Sequence, residues 1–236
     1  MNIVLIHPSD FLSPSTVVLR DHRAQHLKQV VKVTVGDTVR VGLINELMGE
    51  GIVQSTGDEL ILEVNICDAP PAPLPLTLLL AMPRPKMLKR TLQSVVAMGV
   101  KEIYLINSYR VEKSFWQSPV LSDQGLLEQS YLGLEQARDT VLPNIYLRKR
   151  FKPFVEDELP EIIQGTQAIV AHPIAEQSIP TPLNQPCTLA VGPEGGFIPY
   201  EVDKLNEAGF TSMHMGSRIL RVETAVPALL ASLYSF

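Results

Sequence analysis

The sequence predicts an α/β protein in two parts: a small β-rich unit, then a larger domain built on a parallel sheet. Three observations carry this reading. Between residues 38 and 64, apolar and polar side chains alternate in strand-length runs. Residues 68–75, Asp-Ala-Pro-Pro-Ala-Pro-Leu-Pro, contain prolines at a density that no central strand or helix interior accepts, so a stiff boundary falls there. From residue 76 onward, continuous apolar runs alternate with helical segments, as expected of parallel strands covered on both faces.

In the first part, Thr38–Gly42, Gly51–Ser55 and Glu59–Val64 read as strands, with Gly57-Asp58 as a hairpin turn. A short helix over Asp21–Val30, with Asp21 as its N-cap, precedes them. The second part opens with the strand Leu76–Ala81 and a helix over Lys86–Met98 that Gly99 terminates. A strand Glu102–Asn107, a helix Ser122–Thr140, a strand near Asn144–Leu147 and a helix near Val155–Gln164 follow. Gln167–His172 and Cys187–Val191 are the next strands, and Pro199 opens a helix as a favoured first-turn proline. A strand near Thr211–Met215 and a helix from Val222 complete the series.

Composition narrows the function classes. The chain is 45% hydrophobic and 19% charged, values of an ordinary globular protein. The longest apolar stretch, Leu74–Met82, is strand-sized and contains a proline, and the N-terminus MNIVLIHPSD lacks the basic region of a signal peptide. Cytoplasm without membrane attachment is therefore expected. Cys67 and Cys187 stand far apart, so neither a disulfide framework nor a cysteine zinc site is indicated. His22 and His26 have helical metal-pair spacing but no third ligand, so no metal is expected. A net charge of −5 argues mildly against nucleic acid. Yet positive residues cluster around 20–32, 84–90 and 148–152, which makes a polyanion-facing side conceivable.

Three strands of the second part end in punctuated loops: Ala171-His172-Pro173, Gly192-Pro193-Glu194-Gly195-Gly196, and Met215-Gly216-Ser217-Arg218-Ile219-Leu220-Arg221. Ligands of parallel sheets bind beyond the carboxyl ends of the strands, so all three loops can border one pocket. The glycine loop fits neither dinucleotide nor triphosphate fingerprints and carries a glutamate where a phosphate cradle would avoid one. It is either a tight turn or a ligand wall. Arg218, Arg221 and Glu223 flank a helix start, and they serve either as a cap with a salt bridge or as groups that reach a substrate.

Val191-Gly-Pro-Glu-Gly-Gly-Phe197 followed by Met215-Gly-Ser-Arg-Ile-Leu-Arg-Val-Glu-Thr-Ala225 resembles the paired motifs of the RsmE family of 16S ribosomal RNA uridine-N3 methyltransferases. The likeness extends to His26-Leu-Lys-Gln-Val-Val-Lys32, Met98-Gly-Val100, Glu135-Gln136 and Pro143. It implies a PUA-like β-barrel over residues 1–70 and a knotted SPOUT methyltransferase domain over 71–236. It also implies a homodimer, S-adenosyl-L-methionine as cofactor, and 16S rRNA or the 30S subunit as partner. On matching positions the cofactor would be held by Ala171, His172, Pro173, Gly192, Pro193, Gly196, Met215, Gly216, Ile219, Leu220, Thr224 and Ala225. Arg221, and secondarily Arg218, would stabilise the uracil anion, with Glu223 or Glu194 as base. RNA would lie against Arg23, His26, Lys28, Lys32, Arg84 and Lys86. Departures from the family pattern, such as Met82-Pro-Arg-Pro85 and the displaced Arg138, fall on this RNA side and spare the cofactor loops. They keep a second reading open: action on another RNA nucleotide, or a catalytically weak knotted relative that binds RNA.

Overall fold

In the computed structural model, which describes residues 2–235, the chain forms two compact units. The first contains the chain up to Ala72 together with Tyr131–Leu142, and the second contains Pro73–Ser130 and everything from Pro143.

The first unit is a six-stranded sheet in the order β1-β4-β5-β6-β3-β2. Its strands are β1 (Val4–Ile6), β2 (Phe11–Ser13), β3 (Thr16–Leu19), β4 (Thr38–Leu43), β5 (Met48–Ser55) and β6 (Leu60–Asp68). Only β1 and β4 pair in parallel. Alternate positions point inward, so Val17, Leu19, Val41, Val53, Leu60 and Leu62 make the core. Asp21 caps helix α1 (His22–His26) by accepting the Arg23 N–H at 2.9 Å, and a wider turn over Leu27–Val31 extends it to Lys32, whose φ is +62°. Sequence patterning places residues 131–142 in the second domain, but long-range hydrogen bonds tie them to the first unit. Asn2 N–H donates to Glu135 O, Asn45 N–H to Thr140 O, and Leu142 N–H to Asn45 Oδ1, each at 2.9 Å.

The second unit is a seven-stranded sheet in the order β11-β13-β10-β12-β7-β8-β9, with every pair parallel. The strands are β7 (Leu76–Ala81), β8 (Glu102–Ile106), β9 (Asn144–Arg148), β10 (Gln167–Ala171), β11 (Gln177–Ser178), β12 (Cys187–Val191) and β13 (Thr211–His214). The unbroken apolar runs of β7 and β12 reflect their central places, buried on both faces. Helices α2 (Pro85–Ala97) and α3 (Asp123–Ala137) follow β7 and β8. A helical stretch follows β9, in which α4 (Phe151–Pro153) and α5 (Leu159–Ile162) flank a wider turn over Phe154–Glu158. Helices α6 (Pro199–Glu207) and α7 (Val222–Leu233) follow β12 and β13. One sheet face packs Leu79, Ala81, Val170 and Ala190 against Phe151, Phe154, Leu159 and Leu205. Leu78 and Leu80 alternate onto the opposite face and are fully buried, and α2 packs against α7.

One RNA-side expectation is overturned here. Arg23 is only 6% exposed. It is held by Asp10 at 2.7 Å, Asp21 at 2.8 Å and the carbonyl of Leu5 at 2.6 Å. Its guanidinium is thus an internal tie among β1, the loop before β2 and α1, not a surface cation. Burial alone would raise the Asp21 carboxyl, but hydrogen bonds and charge from Arg23 outweigh it and hold the group below its ordinary value. A depressed carboxylate stabilises the fold above its unfolded value, and that stabilisation is lost as pH falls through its folded value. Replacing Arg23 by Met strands Asp10, so urea unfolding should show a loss of roughly 3 kcal/mol. Unchanged stability with weakened RNA binding would restore the surface role.

Candidate active site

Because every strand of the second unit points the same way, the loops after β10, β12 and β13 open on one edge of the sheet. They enclose a pocket of about 300 Å³. Its walls come from Ala171–Pro173, from Val191–Phe197, from Met213, Met215, Gly216 and Arg218–Leu220, and from Val222, Ala225 and Leu229 of α7. Much of this lining is apolar, with exposed backbone at the glycines and Glu194, Arg218 and His172 as its ionisable groups. A concave apolar site with few polar groups suits a small organic ligand.

The glycine loop needs its composition. A Cβ on Gly192 would lie 2.9 Å from Phe197 N and 3.2 Å from Gly196 Cα, both backbone atoms that cannot step aside. Gly196 adopts φ +72° and donates its N–H to Pro193 O at 2.7 Å, closing the turn. Gly216, at φ +124°, makes the matching bend after β13 and donates to His214 Nδ1 at 3.0 Å.

Three polar ties hold the glycine loop from outside. Glu194 Oε1 accepts the Arg84 N–H at 3.0 Å, and the Arg110 guanidinium donates to Gly195 O. Just beyond the loop, Glu201 is 3% exposed and accepts Tyr109 N–H at 2.7 Å through one oxygen and Ile198 N–H at 3.0 Å through the other. The loops after β7 and β8 are thereby fastened to the loop after β12.

A family model described as an RNA methyltransferase domain matches residues 70–234. The chain belongs to this RNA methyltransferase family. Along 98% of its length it is 28% identical to a Treponema pallidum protein named ribosomal RNA small subunit methyltransferase E, covering 90% of that protein. A Borreliella burgdorferi protein named ribosomal RNA small subunit methyltransferase E 1 is 25% identical over 97% of this chain and 95% of its own. The fold matches a Legionella pneumophila protein solved with SAM bound, at TM-score 0.75 and 18% identity, over 98% of this chain and 96% of that one. It also matches ribosomal RNA small subunit methyltransferase E of Neisseria gonorrhoeae, solved with S-adenosyl methionine, at TM-score 0.73 and 21% identity, over 97% and 95%. The RsmE likeness read from the sequence motifs is borne out.

Within this methyltransferase, Ala171, His172, Pro173, Gly192, Pro193, Gly196, Met215, Gly216, Ile219, Leu220 and Ala225 all line the pocket, as do Glu194 and Arg218. Thr224, Arg221 and Glu223 do not; they sit at the N-cap and in the first turn of α7. No ion pair joins Glu223 to Arg218 or Arg221 among the described residues, so the salt-bridge reading of these charges is not realised. His26 and Lys28 are half-buried, and Lys28 Nζ donates to the Gly57 carbonyl; Lys32, Arg84 and Lys86 are exposed. No cluster of metal-ligating side chains occurs among the described residues, and no helix there is long and apolar enough to cross a membrane. Burial pushes the Cys187 thiol up to about 12, so it stays protonated at neutral pH and is no nucleophile.

Sequence reasoning missed Glu201, Tyr109 and Arg110. The one available signal was the glutamate three residues into the first turn of α6, a position that often caps. Glu201→Ala removes the acceptor of two backbone N–H groups and should cost roughly 2–4 kcal/mol in urea unfolding. Glu201→Gln, which keeps one acceptor oxygen, should fall between the variant and the wild type.

Proposed function

We propose that the protein transfers a methyl group from S-adenosyl-L-methionine to N3 of a uridine in the decoding region of 16S ribosomal RNA. The observation that carries this reading is the joining of its two sequence motifs in one pocket. Residues 191–197 line it together with Met213, Met215, Gly216 and Arg218–Leu220, and residues 171–173 follow β10, which pairs with both β12 and β13. The lining fits the cofactor: apolar surface from Met213, Val222 and Leu229 for the adenosine, glycine backbone for close approach, and the Glu194 carboxylate for a sulfonium. Bound there, S-adenosylmethionine supplies an electrophilic methyl group.

The chain's own residues would do the rest. N3 of uracil carries a proton and must lose it before it can attack, so the protein has to take that proton and steady the ring anion. Arg221, at the N-cap of α7, is the group proposed to stabilise the anion, with Arg218 on the pocket wall in support. Glu194 is engaged by the Arg84 N–H. Glu223 has no partner among the described residues, and it is the carboxylate proposed to take the proton.

The remaining parts of the reading concern architecture. The topology supports a trefoil knot. β12 is inserted between β10 and β7, and the chain leaving β13 returns to α2 as α7. The segment before β12 then bonds to the end of α7: Leu183 N–H donates to Leu233 O at 2.7 Å, and Tyr234 Oη to Gln185 O at 2.9 Å. The first unit is proposed as a PUA-like RNA-binding barrel over residues 1–70, with His26, Lys28 and Lys32 facing RNA, alongside Arg84 and Lys86 of the second domain over 71–236. A cytoplasmic homodimer acting on 16S rRNA or the 30S subunit completes the proposal.

Mass spectrometry of 16S rRNA from a strain lacking the gene tests the target. The mono-methylated uridine of the decoding region should disappear and return with a plasmid copy; its persistence would show that another nucleotide is modified. Arg221→Ala should lower turnover by about 100-fold while calorimetry finds S-adenosylmethionine affinity unchanged. Loss of folding in that variant would assign the arginine a structural role instead.

A further inference from the structure

The turn that follows β8 presents a feature that the proposed cofactor chemistry does not use. Tyr109 is 79% exposed, against 47% for Tyr200, the next most exposed aromatic among the described residues. A single exposed apolar side chain is ordinary. Tyr109 differs because its backbone is fixed on every side. Asn107 N–H donates to Arg148 O at 2.9 Å, and Asn107 Oδ1 accepts Trp116 Nε1–H at 2.9 Å. Val111 N–H closes the turn onto Ser108 O at 3.0 Å, leaving Tyr109 and Arg110 as its two central residues. The buried Glu201 carboxylate accepts the Tyr109 N–H at 2.7 Å, and Arg110 reaches across to Gly195 O in the pocket wall. The ring itself stacks on no other ring, and its hydroxyl has no partner among the described residues. A rigid backbone therefore holds a free aromatic face one residue away from a contact with the pocket wall.

The charge around it indicates what would cover that face. β7, β8 and β9 are consecutive neighbours in the sheet and their carboxyl ends lie on the same edge. At about 4.8 Å per strand, the loops that follow them set exposed Arg84 on one side of the Tyr109-Arg110 turn and exposed Lys149 and Arg150 on the other. Arg148 is not part of this row, since it is paired with Glu158 at 2.6 Å and lies over the Tyr104 and Tyr146 rings. A bare aromatic face between free cations is the arrangement that holds an unpaired base with phosphates on either side. Duplex RNA keeps its bases stacked internally and offers none to such a platform.

We propose that Tyr109 is a stacking platform for an unpaired base of the RNA substrate, with Arg84, Arg110, Lys149 and Arg150 taking the adjoining phosphates. The assignment rests on the methyltransferase reading of the neighbouring pocket, but its test does not require turnover. The probe is a short single-stranded, uridine-rich oligoribonucleotide added to the full chain. In Tyr109→Trp, emission in excess of the wild-type Trp116 signal should be quenched on binding. Tyr109→Leu should weaken binding of this probe by about tenfold, Tyr109→Phe should retain it, and calorimetric affinity for S-adenosylmethionine should be the same in all three. Equal binding by Tyr109→Leu and wild type, or equal quenching by the same sequence in a duplex, would overturn the platform. A wild-type protein that binds no S-adenosylmethionine, together with probe binding that Tyr109→Leu weakens, would instead overturn the cofactor reading and leave the platform standing.

Discussion

The second unit is organised by one constraint: seven strands share one direction, so all their carboxyl ends open on the same edge of the sheet. A parallel strand can return to its sheet only through a crossover, and here helices make every crossover except those from β10 to β11 and from β11 to β12. The edge is consequently a row of loops whose spacing the hydrogen-bond ladder fixes. β12 lies between β10 and β7, which places the glycine loop beside the loop after β10 on one side and the loop carrying Arg84 on the other. The pocket therefore exists because of strand order, and side chains tune what that order has already placed.

Those loops would be mobile if nothing joined them, since glycine-rich backbone has little conformational preference of its own. Glu194, Arg110 and Glu201 supply the joins, and each acts between loops that are remote in sequence. Glu201 is the most consequential. Its carboxylate is buried and uses both oxygens on backbone N–H groups, so it fixes the entry to α6 and the turn after β8 together. Charge-assisted hydrogen bonds of this kind are short and directional, which suits holding the glycine loop and the turn after β8 in one register.

Much of this was legible in the amino-acid order. The change from alternating to continuous apolar runs separates the mostly antiparallel sheet from the parallel one, and the motifs at 191–197 and 215–225 mark two walls of the pocket. Other features were hidden for physical reasons. Arg23 sits in a basic cluster, and sequence cannot show that Asp10 and Asp21 draw it inside. Helical patterning of α3 continues smoothly past residue 130, although the bonds to Asn2 and Asn45 that place residues 131–142 with the first unit come from far away in the chain. Arg221 and Glu223 belong to the second motif without lining the pocket, and the sequence does not separate these positions of α7's N-terminus from Val222 and Ala225, which do line it. Tyr109 and Arg110 belong to no motif, and only the turn geometry gives them meaning.

The central claim is that the loops after β10, β12 and β13 hold the methyl donor. Titration of S-adenosylmethionine into the isotopically labelled protein, followed through backbone amide resonances, tests it most directly. The account predicts that shifts concentrate at His172, at Gly192–Phe197 and at Met215–Leu220, with the loop after β9 unaffected. Saturable shifts confined to another surface, or none at high cofactor concentration in a well-folded sample, would contradict it.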